Sequence, residues 1–104
     1  MQGIRATITF DADVPYPKRR GVVSGYHPHH HFEWADFQTS GIHDYRDACR
    51  HYPGEILSVW IGFPSWSYFG SDVSVGDYFE INEGSRLVGH GRVEEILETI
   101  IVES

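Results

Sequence analysis

The sequence predicts an all-β domain that closes into a barrel, and three runs of alternating residues carry that expectation. Ile4–Phe10, Glu55–Phe63 and Tyr78–Val93 each set apolar side chains at every second position, the period of a strand with one buried face. The last of these runs contains Asn82-Glu83-Gly84-Ser85, turn chemistry in which Gly84 is free to take positive φ. At 104 residues the chain reads as a single domain spanning 1–104.

In chain order, Ile4, Ala6, Ile8 and Phe10 face inward on the first strand, with Arg5, Thr7 and Thr9 outward. Asp11 to Arg20, with Pro15 and Pro17, is a loop. Gly21 to Phe37 forms two strand segments interrupted at Pro28, which has no N–H for a ladder. Thr39 to His51 is the least regular part, with a short helical turn around His43–Arg50, and Pro53-Gly54 makes a turn. Leu57, Val59, Ile61 and Phe63 share one face of the next strand, and Ile56, Ser58 and Trp60 the other, so both faces are expected to be covered. Pro64 to Gly70 cannot be a strand throughout, and a loop there carries its aromatics to the surface.

Gly76 to Val93 is the closing hairpin. On its return arm Leu87, Gly89, Gly91 and Val93 share one face, with Val88, His90 and Arg92 on the other. Two glycines on one strand face imply that a backbone or ring packs where a Cβ would stand. Beyond Val93 the apolar residues Ile96, Leu97, Ile100 and Ile101 follow helical spacing, while Thr99-Ile100-Ile101-Val102 is β-branched. A strand continuing to about Leu97 is expected.

These motifs carry a resemblance. Phe79-Glu80-Ile81-Asn82-Glu83-Gly84-Ser85-Arg86-Leu87-Val88-Gly89-His90-Gly91-Arg92-Val93 resembles the closing hairpin of the third, C-terminal domain of elongation factor Tu, F-x-I-R-E-G-G-R-T-V-G-A-G-V-V. Val23-Ser24-Gly25-Tyr26-His27-Pro28-His29-His30-His31-Phe32 is similar to the family's F-S-G-Y-R-P-Q-F-Y-F, and Tyr52-Pro53-Gly54-Glu55 to its M-P-G-D. The matches fall in family order. They imply a six-stranded antiparallel barrel standing alone, without the GTPase domain. They also imply that His27, Gly84 and Arg86 occupy positions which in the family lie near the T-stem of tRNA. His27 replaces an arginine there, which removes a permanent phosphate-pairing guanidinium and argues against tRNA as the ligand.

Composition bounds the function. Forty per cent hydrophobic residues, 14 % of the chain aromatic, is a globular composition. No apolar run reaches membrane-span length and no signal-peptide pattern opens the chain, so a cytoplasmic protein without membrane association is expected. The single Cys49 fits a reducing compartment. Eight Lys+Arg against fifteen Asp+Glu, a formal charge of −7, run against extended nucleic acid as a partner. Lys18-Arg19-Arg20 is the one basic run and reads as a solvated loop tip. No Gly-x-x-x-x-Gly-Lys-Ser/Thr loop is present, so GTP is not an expected ligand.

Four chemistries remain to be weighed. His27, His29 and His31 recur at i, i+2 and i+4 and offer imidazoles for a metal such as Zn²⁺, although Pro28 breaks the alternation. Cys49 with His43 or His51 and Asp44 or Asp47 has the residue types of a thiol nucleophile and its base. The bland alternative places both histidines at a loop surface and Cys49 in an apolar interior, and no enzyme is expected. RNA binding would rest on Arg5, Arg86 and Arg92. The favoured reading is a non-catalytic module that binds another protein, related to translation or acting as an inhibitor or immunity-type protein. Its contact surface is expected at Trp66, Tyr68 and Phe69, with His27, Gly84 and Arg86, and its further exposable aromatics are Tyr16, Trp34 and Trp60.

Overall fold

A computed structural model describes residues 1–100; Ile101 and Val102, the end of the β-branched tail, lie outside them. The strands are β1 (Gly3–Phe10), β2 (His29–Phe32), β3 (Thr39–Ser40), β4 (Ile42–Asp44), β5 (Ile56–Gly62), β6 (Tyr78–Glu83) and β7 (Arg86–Leu97). A one-turn helix α1 (Trp66–Phe69) and a 3₁₀ turn, Gly70–Asp72, separate β5 from β6. The chain is therefore all-β, a single antiparallel sheet in the order β3-β2-β6-β7-β1-β5-β4.

β1 lies inside the sheet, paired with β5 on one side and β7 on the other. Its expected inward set, Ile4, Ala6, Ile8 and Phe10, is almost completely buried. Leu57, Val59 and Ile61 of β5, with Phe63 just after it, are buried opposite them. The other face of β5 corrects the expectation of a double covering. Ile56 is 78 % exposed, and only Trp60 is shielded, by the Arg46 guanidinium lying 3.9 Å from its ring. A side chain such as Phe10 or Ile61 contributes about 1.5–3 kcal/mol on full burial, so these two inward rows supply a large share of the fold's driving force.

The sheet nearly closes through Thr39–Asp44, the stretch that reads as irregular in the sequence. β3 pairs with β2, and β4 pairs with β5. Gly41 stands at the corner between them, where a Cβ would come within 2.8 Å of the rings of His30 and Phe63. The Gly41 N–H donates to the Pro28 carbonyl, and the His43 N–H to that of Tyr26, so the chain just ahead of β2 hydrogen-bonds along β4. Among the described residues seven strands thus stand where six were expected, because this segment divides into two at a bend, and it contains no helical turn at His43.

On β7 the two glycines behave as the spacing implies. A Cβ on Gly89 would lie 2.6 Å from the Thr9 carbonyl oxygen, and one on Gly91 would meet Ile8 and Phe79. The face assignment around them changes, however. Ile81 pairs with Gly89 but Asn82 with Leu87, so Val88 is an extra residue in the ladder and turns into the core. Leu87 is left half-buried.

Candidate functional site

β2 alternates, as a strand must, and sends His30 inward between the outward His29 and His31. β4 sends in His43. The two rings meet in the core, both wholly buried, with Nε2 atoms 2.8 Å apart. His30 Nδ1 lies 3.3 Å from the Thr39 carbonyl oxygen, and His43 Nδ1 lies 2.9 Å from the Tyr45 hydroxyl.

One protonation pattern satisfies all of these contacts. The Thr39 carbonyl only accepts, so His30 carries its proton on Nδ1 and accepts at Nε2. His43 then donates from Nε2 and accepts at Nδ1 from the Tyr45 hydroxyl. Both rings are neutral, as desolvation requires: burial pushes His30 down to about 3 and drives His43 well below the ordinary histidine value. No ring lone pair is left for a metal and no solvent reaches the pair, so it organises the core. The expected surface position of His43 is thereby corrected. His30 was legible as inward from its alternation with His29 and His31; His43 offered no such pattern.

The outward histidines do not converge. His27 is exposed ahead of β2, and His29 Nδ1 accepts the Gly84 N–H at 3.4 Å. His31 Nε2 lies 2.8 Å from the Ala35 carbonyl oxygen and so donates to it. Among the described residues no group of three or more His, Cys, Asp or Glu side chains is placed to hold a metal ion.

The thiol constellation also separates. Cys49 is exposed rather than interior, His43 is in the core, and Asp44 accepts from the Arg46 backbone and guanidinium. His51 is held between two carboxylates, with Nε2 3.0 Å from Asp47 and Nδ1 3.1 Å from Glu55. Burial opposes charge on this ring, but the hydrogen bonds to Glu55 and Asp47 outweigh it and raise the pKa. Both ring nitrogens are occupied by carboxylates, so His51 is an ion-pair centre with no position left to activate the thiol.

The aromatic segment after β5 divides. Trp66 and Phe69 are buried, 9 % and 2 % exposed, and pack on Phe63, whereas Tyr68 is 89 % exposed. Trp66 and Phe69 therefore cap the barrel, which corrects their expected place on the surface: one helical turn at Trp66–Phe69 directs residues 66 and 69 inward together and residue 68 outward. Gly70 lies under the Trp66 indole, where a Cβ would approach to 2.2 Å. The exposed apolar surface at this end comes from the β2–β3 loop. Trp34 stacks on Phe32 at 5.3 Å and donates its indole N–H to Asp77 at 2.9 Å. Phe37 lies edge-on to both Trp34 and Phe69. Trp34 is 38 % and Phe37 43 % exposed. Phe37 was missed because nothing in its sequence surroundings marks it as a neighbour of α1.

His27, Gly84 and Arg86 belong to the other end of β2 and β6. Gly84 takes φ 63° at the hairpin tip. Beside it Glu83 accepts from Lys18 at 2.8 Å, Arg86 at 2.8 Å and the Tyr26 hydroxyl at 2.5 Å. Burial would raise the Glu83 pKa, but the hydrogen bonds from Lys18 and Tyr26 lower it overall. Compared with known protein families and with curated proteins, the chain matches none.

Proposed function

We propose that the chain is a non-catalytic binding domain whose partner is a protein, and that it is a counterpart of the third domain of elongation factor Tu. Counting Thr39–Asp44 as one strand bent at Gly41 reduces the seven strands to the six of that barrel. The observation that carries the binding reading is the Trp34–Phe37 ledge, two half-exposed rings held rigid from beneath by Phe32 and Phe69. Pre-ordered aromatics lose little entropy on docking and are favoured interface anchors.

The surroundings specify the chemistry of the partner. Glu33 and Asp36 flank the rings, Asp77 holds the Trp34 indole, and Asp72 follows α1. No Lys or Arg occurs between Gly21 and Tyr45 or between His51 and Ser85. The complement is an apolar protein surface rimmed with basic side chains.

Affinity capture from native lysate, repeated with Trp34→Ala/Phe37→Ala, tests this. The expected result is a captured basic protein whose purified form loses at least about tenfold in affinity for the variant, as for an interface anchor. Capture that is indifferent to the double substitution, or that disappears on ribonuclease treatment, would overturn the reading.

A further inference from the structure

The cations of this chain are segregated. Of its eight Lys and Arg residues, five gather at the hairpin-tip end: Lys18, Arg19, Arg20, Arg50 and Arg86. Lys18, Arg19, Arg20 and Arg86, with Pro17, line one cleft of about 270 Å³. A protein of formal charge −7 does not collect its positive charge in one concavity without an electrostatic cost. Like charges repel there, and the acidic remainder of the surface would otherwise disperse them.

The loop that presents them is built rather than free. The Arg19 N–H donates to the Pro17 carbonyl and the Gly21 N–H to that of Lys18, each at 2.9 Å. Gly21 takes φ 73°, and a Cβ there would strike the His51 carbonyl oxygen at 2.6 Å. Arg50 reaches back to the Arg20 carbonyl at 2.9 Å, which ties the turn to the barrel. Lys18 lies over the Tyr26 ring, and both Lys18 and Arg86 are fixed by Glu83. One carboxylate thus stands against four cations around the cleft. Arg86 Nε is enclosed and has no hydrogen-bond partner among the described residues.

We propose that this cleft binds a compact phosphate anion, of the class of pyrophosphate or a short free oligophosphate. Several guanidinium and ammonium donors on one small concavity match the dense charge and many acceptor oxygens of such an ion, and arginine pairs with phosphate oxygens bidentately. The volume lies just below the range of roughly 300–1,000 Å³ typical of small-molecule sites, which suits a ligand of a few heavy atoms. An extended nucleic acid is disfavoured by the same charges: past the cleft it would run over an acidic surface. This site is at the opposite end of β2 from the Trp34–Phe37 ledge and does not depend on it.

The test is titration of the full chain with sodium pyrophosphate in about 150 mM salt, where weak surface attraction is screened, followed by calorimetry and amide shifts. Binding in the submillimolar range, with shifts at Lys18–Gly21, is expected. Arg19→Gln/Arg20→Gln should weaken it at least tenfold with an unchanged melting temperature, because both residues are exposed. Absence of saturable binding would overturn the proposal. So would binding that ignores the double substitution, or single-stranded RNA displacing pyrophosphate through the same arginines.

Discussion

At the scale of the residue, the wholly buried imidazoles make the sharpest predictions. His30 and His43 are neutral in the fold, with pKa values depressed from 6.5. In the unfolded chain they take up protons below about pH 6.5, so stability present above that pH is lost as pH falls toward about 3. The slope reaches at most about 1.4 kcal/mol per pH unit for each ring. His51 has the opposite sign: its raised pKa contributes stability below about 6.5 that is lost as pH rises through the folded value. Urea unfolding at pH 7 and pH 5 should show the acid loss, and His30→Phe should reduce it. The same substitution leaves the His43 Nε2–H without a partner and should cost about 1–3 kcal/mol at neutral pH. A variant with the parent's pH slope would contradict the neutral-pair assignment.

At the scale of the element, α1 separates residues that adjoin in sequence. Trp66→Ala empties space beneath the cap and should lower stability by about 3–5 kcal/mol, whereas Tyr68→Ala should stay within about 0.5 kcal/mol. Thermal unfolding of the two variants distinguishes a cap from a contact surface directly. On β7, Gly91→Ala forces a methyl group against Ile8 and Phe79 and should cost about 1–3 kcal/mol in urea unfolding, as overpacking does. The glycine pair and its reason could be read from spacing alone. The extra residue at Val88 could not, because a bulge is set by how two ladders are accommodated at once, and the residue pattern of the bulged strand does not mark where its facing will shift.

At the scale of the molecule, circular dichroism should give a β-dominated spectrum, since helical turns occupy only Trp66–Phe69 and Gly70–Asp72 among the described residues. A helical fraction near the globular average of about one third would exclude the fold. The charges are polarised along the same body: cations collect around the hairpin tip, and the ledge at the far end of β2 and β6 is acidic. Binding of anions should therefore weaken on substitution at Arg19 and Arg20 and be untouched at Trp34 and Phe37.

The order of residues alone specified β1, β5 and the β6–β7 hairpin, because a strand with one buried face writes its period directly into it. It also determined that Gly89 and Gly91 face something solid, and that residues 64–70 are not a strand. The fold alone settled which aromatics are covered. Burial of Trp66 and Phe69 depends on their distance from Phe63 across a turn, and exposure of Trp34 and Phe37 on the path of a loop. It likewise joined His30 to His43, thirteen positions apart on different strands, by bending the chain at Gly41. Pairing across a nearly closed barrel is a property of register and curvature, and neither is encoded within any single segment.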